Sequence, residues 1–102
     1  MGSYSRFRRE VQERGAALRR LSADELLARA DTPTDTVRFG WRTATISLII
    51  DEPSQRGVRV IVQGFLRCPS WSPFARVALE GFYKLADGTI GEVPDQEFGD
   101  FS

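Results

Sequence analysis

Residues 36–50 read TVRFGWRTATISLII. In the first part, Val37, Phe39 and Trp41 alternate with Arg38, Gly40 and Arg42. That is the period of two expected of a strand with one buried face. From Ala44 onward the apolar set is Ala44, Ile46, Leu48 and Ile50, set against Thr43, Thr45 and Ser47. The apolar positions have moved from odd to even numbers. A slip of one residue turns every side chain to the other face. The pattern admits two readings. One is a single long strand over about 36–50 with a bulge near Arg42 and Thr43. The other is a strand that leaves one core and joins another.

Downstream the pattern stays extended. Residues 51–57 (DEPSQRG) are a turn by composition. Val58, Val60, Val62 and Leu66 mark the buried side of a strand over about 58–67, with Ile61 and Phe65 on its outer face. Residues 68–73 (CPSWSP) are a loop, because two prolines do not fit a central strand. Ala75, Val77, Leu79, Gly81, Tyr83 and Leu85 line a strand over about 74–86, opposite Arg76, Glu80 and Lys84. Ala86-Asp87-Gly88 is a tight hairpin turn, and 89–93 a short last strand. Residues 94–102 form an acidic tail in which Phe98 and Phe101 are candidate anchors.

Upstream the period is helical. Tyr4, Phe7, Val11, Leu18 and Leu21 share one face of a helix over about 4–21, with Arg14 interrupting the stripe. Glu10 and Arg14 have the spacing of a favourable i,i+4 pair. Gly15 weakens the middle of this helix and invites a bend. Ser22 and Glu25 have the spacing of a capping box, which starts a second helix over about 22–31. Pro33 ends it. Helices followed by strands indicate an α+β domain spanning 1–102, two N-terminal helices on a three- to four-stranded antiparallel meander.

Such a sheet has two faces and one set of helices. The second face would carry Phe39 or Ile46, then Ile61, Phe65, Phe74 and Phe82, according to register. That is too much apolar surface to leave in water. Either the sheet curls around these groups to enclose a pocket, or a second copy covers them. Gly40-Trp41, Gly64-Phe65 and Gly81-Phe82 place a glycine beside an aromatic in each strand. Aromatic cover of glycines at sheet bends accounts for this; the alternative is a cavity that glycine leaves open for a ligand.

Composition narrows the chemistry. The 102 residues include no histidine and one cysteine, Cys68. A histidine general base is therefore excluded, as is an internal disulfide. One cysteine cannot build a Cys/His zinc site, so no metal and no cofactor are expected. No apolar run approaches the roughly 20 residues of a membrane span, and the N-terminus has no apolar leader segment. The cytoplasm is the expected location. Of the 14 basic residues only Lys84 is lysine, a bias that a G+C-rich bacterial genome produces. Arginine also suits phosphate and carboxylate recognition. Net charge is zero but unevenly spread: the first 30 residues are basic and 86–102 are acidic. The two ends are thus complementary, within a chain or between copies.

Arg38-x-x-x-Arg42 followed by Asp51-x-x-Ser54-x-x-Gly57 resembles the paired motifs of the PilZ domain. That resemblance implies binding of cyclic di-GMP, with the arginines clamping phosphates and stacking on guanine. It covers about 20 residues and departs from the family pattern. The family's acid stands two residues before the serine, where this chain has Glu52. The spacing leaves no room for the family's intervening strand, and PilZ domains do not normally begin with two helices. Arginines along the first helix could instead follow a phosphate backbone, but Glu10 and Glu13 interleave with them and the pI is about 6.3.

The functional expectation is a small binding or assembly module without catalysis, a homodimer or an adaptor to another protein. The alternative is a small-molecule or weakly enzymatic pocket in a curled sheet, with Arg76, Glu80 and Tyr83 at its mouth. Glu80 is also placed to pair across strands with Arg59 or Arg67. A lesser alternative is nucleotide or nucleic-acid binding through the arginines, Arg38 and Arg42 first among them.

Overall fold

A computed structural model describes residues 2–40, 42–52, 57–67, 76–85 and 87–93. The order is α1 (Ser3–Leu18), α2 (Ala23–Leu27), β1 (Asp35–Phe39), β2 (Arg42–Asp51), β3 (Val58–Leu66), β4 (Arg76–Lys84) and β5 (Ile90–Glu92). The strands form one antiparallel sheet in the order β1-β2-β3-β4-β5. The sheet is open, with β1 and β5 as its two edges, and both helices pack on one face. This is the α+β meander read from the sequence, with five strands in place of three or four. No helix among the described residues is long and apolar enough to cross a membrane.

The extra strand corrects the reading of 36–50, which is neither a bulged strand nor one that changes cores. It is a hairpin. Phe39 pairs with Arg42, Val37 with Ala44 and Asp35 with Ile46. Gly40 opens the two-residue connection at φ 68°, a left-handed angle that such turns need. The hairpin also explains the phase change. Across a two-residue turn an odd-numbered residue always faces an even-numbered one, so the core set must switch from Val37 and Phe39 to Ala44 and Ile46.

Phe7, Val11, Leu18 and Leu26 descend from the helices onto Phe39, Ala44, Ile46, Val58, Val60, Val62, Leu66 and Phe82. Phe7, Leu26 and Phe82 are fully buried, each contributing about 1.5–3 kcal/mol by leaving water. Phe7 meets Phe39 edge-on, with ring centroids 6.0 Å apart. The stripe Phe7–Val11–Leu18 is the one the sequence marks. Gly15 does not break α1, which runs through it to Leu18. At α2 both capping-box bonds form: Glu25 N–H donates to Ser22 Oγ and Ser22 N–H to Glu25 Oε1, each at 3.2 Å. The helix is shorter than expected, ending at Leu27, with turns continuing to Asp31.

Register separates the two faces of β4 in a way the sequence reading inverts. Phe82 pairs with Val60, Glu80 with Val62 and Arg76 with Leu66. Arg76, Glu80, Phe82 and Lys84 therefore face the helices. Val77, Leu79, Gly81 and Tyr83 turn to the opposite face, with Ile61 and Phe65. Phe82, expected on the second face, belongs to the main core. A smaller cluster, Ile61, Tyr83 and Val93, forms on the helix-free side, with Ile49, Leu79 and Leu85 packed against it. Trp41, the turn residues 53–56, Cys68 and its loop, Phe74, Ala75, Ala86 and the acidic tail 94–102 lie outside the described residues.

Candidate functional site

The five residues singled out from sequence are not brought to one place. Arg38 stands exposed on β1, facing away from the helices, whereas Arg42 is on the same face as its partner Phe39. The hairpin thus puts the two arginines on opposite faces and forms no two-armed clamp. The Arg42 Nε–H donates to the Arg67 carbonyl at 3.3 Å. The Asp51 carboxylate accepts both Nε–H (2.9 Å) and a terminal N–H (2.6 Å) from Arg59. That is the two-pronged pairing that suits a guanidinium. Arg76 and Glu80 share the helix-side face, while Tyr83 is buried on the other face.

Arg76 and Glu80 instead form a seam between β4 and α1. The Arg76 guanidinium lies over the Tyr4 ring, 4.6 Å from its centroid. Glu80 packs its stem against Gly15, where an added Cβ would come within 2.6 Å of Glu80 Cγ. Its carboxylate is 3.6 Å from Arg19 and pairs with neither Arg59 nor Arg67, because register turns Glu80 to the helix side. Arg19 also stacks on Phe82 at 5.1 Å and donates to the Gly81 carbonyl at 3.3 Å. The Arg19 carbonyl accepts from Lys84 Nζ at 3.1 Å. Charged residues can face a helix here because α1 presents its polar flank to β4. The seam fastens two elements with groups that are already paired.

A different constellation appears where α1 meets the hairpin. Arg14 donates to Glu10 Oε1 at 2.9 Å and to Asp35 Oδ2 at 2.8 Å. Burial pulls the Arg14 pKa down, but the hydrogen bonds to Asp35 and Glu10, together with the negative charges of both carboxylates, outweigh it and leave the pKa raised. Beside this corner is a groove of about 480 Å³ between α1, the segment leading into β1, and the faces of β2 and β3. Leu18, Ile46, Leu48 and Val62 line it, together with Pro33 and Arg29. The sequence reading missed this groove. Its traces were Arg14 interrupting an apolar stripe, and Pro33 in the link between a short helix and the first strand.

The helix-free face is the second feature. Ile61, Tyr83 and Val93 are buried there, while Ile49, Phe65, Val77, Leu79 and Leu85 remain half-buried. Among the described residues its ionic pair, Asp51 with Arg59, is internally neutralised. Among the described residues, no three Asp, Glu, Cys or His side chains cluster as metal ligands. No protein-family model, curated protein or solved structure matches this chain.

Proposed function

We propose that this protein is a non-catalytic assembly module that pairs with a second copy of itself through the helix-free sheet face. The observation that carries this reading is the row Ile49, Phe65, Val77, Leu79 and Leu85, half-buried on a face where neither helix packs. Covering apolar surface of this kind is what drives association. At long range the formal net charge of zero adds no repulsion between two copies, and the exposed Arg38 on the edge strand of this face has to stay in water at the rim of the pair. A two-fold pair would use the same patch on both sides.

Dimensions set the strength. The nine residues of β3 span about 30 Å, and five strands cover about 19 Å across. The face thus offers at most about 600 Å² per copy. A pair would bury at most about 1,200 Å², the bottom of the range for stable specific interfaces. The dimer is therefore expected to dissociate on dilution. A single cysteine and an arginine-rich composition suit work in a reducing bacterial cytoplasm.

Light scattering across a hundredfold concentration range tests the proposal. The mass should rise toward twice 11.5 kDa. Phe65→Ser should hold it at one chain mass while the amide spectrum stays folded. A single chain mass at every concentration overturns self-pairing and leaves a different protein as the occupant of that face.

A further inference from the structure

We infer that the groove between α1 and the β2–β3 surface is a binding site for a small monoanionic amphiphile, with an aliphatic body and one carboxylate. Its volume, about 480 Å³, is within the range of small-molecule sites. Its floor is Ile46, Leu48 and Val62, and Leu18 closes one side. The groove exists because α2 is only five residues long, so the helices stop short of covering the ten-residue β2.

The charges around this apolar floor specify the head group. Arg14 is committed to Glu10 and Asp35, and Asp35 to Arg14. Thr34 and Ser47 share a hydrogen bond at 3.0 Å. The remaining ionic group is Arg29, which lines the groove, is exposed, and pairs with none of the described residues. An apolar trough with one unmatched cation at its rim complements a molecule whose tail leaves water and whose anionic end stays at the surface. The guanidinium fork matches a carboxylate in geometry as well as charge. A neutral amphiphile would gain the floor without the rim, and a cationic one would meet Arg29 unfavourably.

Octanoate, octanol and octylammonium, titrated separately below their aggregation limits and followed by amide chemical shifts, test this. Octanoate should saturate the protein and move the amides of Leu18, Ile46, Leu48 and Val62. Arg29→Gln, a change at an exposed position, should weaken octanoate about fivefold, the scale of a solvent-exposed ion pair, and leave octanol unchanged. Arg29→Glu should reverse the order, so that octylammonium binds more tightly than octanoate. Octanoate binding no better than octanol, shifts on the opposite sheet face, or an Arg29→Gln variant indistinguishable from the parent would each overturn the inference. The groove and the proposed pairing face are on opposite sides of the sheet, so failure of one leaves the other standing.

Discussion

The ring of Phe7 on α1 lies directly over Gly64 on β3, so close that a Cβ at position 64 would stand 2.7 Å from Phe7 Cε1 and 2.8 Å from Val11 Cγ2. Both neighbours are buried and fixed by the core, so neither can move aside cheaply. Gly64→Ala is expected to cost about 1–3 kcal/mol, the range for overpacking a well-filled interior. A guanidinium melt reads this as a lower midpoint. In a Phe7→Leu background the penalty should shrink, because the smaller side chain leaves space. An unchanged midpoint, or the same loss in both backgrounds, would show that the contact is not what keeps residue 64 a glycine.

The same contact shows what the sequence could and could not convey. Gly64 beside an aromatic reads as a glycine covered by a ring, and it is; but the ring is Phe7, 57 positions upstream, while Phe65 points to the other face. Local pattern identified the partners' types and left the pairing to the tertiary fold. The Ser22–Glu25 cap was legible because every atom it uses lies within four residues. The hairpin at Gly40 was encoded in the parity switch, yet a bulge gives the same switch, and only the pairing of Phe39 with Arg42 separates the two. The faces of β4 were illegible for a physical reason. Arg76, Glu80 and Lys84 look solvent-facing until a helix with its own polar flank is laid across them. The groove was least legible of all, since it is the space a short helix fails to cover.

The turn between β4 and β5 carries a pH-dependent bond. Asp87 accepts from the Thr89 hydroxyl at 2.6 Å and from the Thr89 N–H at 3.0 Å. These bonds, the hydroxyl's first and the amide's second, hold the Asp87 pKa below its ordinary value. A carboxylate whose pKa is depressed by folding stabilises the fold at pH above its unfolded value, and that contribution is lost as pH falls through the folded value. Thr89→Val removes the hydroxyl and keeps the N–H. The Asp87 carboxyl resonance should then titrate at higher pH than in the parent, though still below an unfolded aspartate. Coincident titration curves for parent and variant would assign the depression to the backbone alone.

Arg19 and Glu80 allow the contributions at the α1–β4 seam to be ranked. Their ion pair is 3.6 Å long and both side chains are 30% exposed, so solvent screens it and it contributes at most about 1 kcal/mol. Arg19 has two further attachments, the Phe82 face and the Gly81 carbonyl. A cation on an aromatic face contributes about 0.5–2 kcal/mol according to its desolvation. Arg19→Met should therefore destabilise more than Glu80→Gln, by about 1 kcal/mol. Glu80→Gln keeps the stem that packs against Gly15 and loses only the charge. Arg19→Lys should fall between them, since an ammonium retains attraction to Glu80 and Phe82 but lacks the planar fork. Added salt should narrow the Glu80→Gln difference and leave most of the Arg19→Met loss in place, because screening acts on the exposed charge pair more than on the contact with a buried ring. Denaturant midpoints for the three variants, at low and high salt, give the order. If Glu80→Gln proved the most damaging, the seam would be held by charge, and the stacking on Phe82 would be incidental.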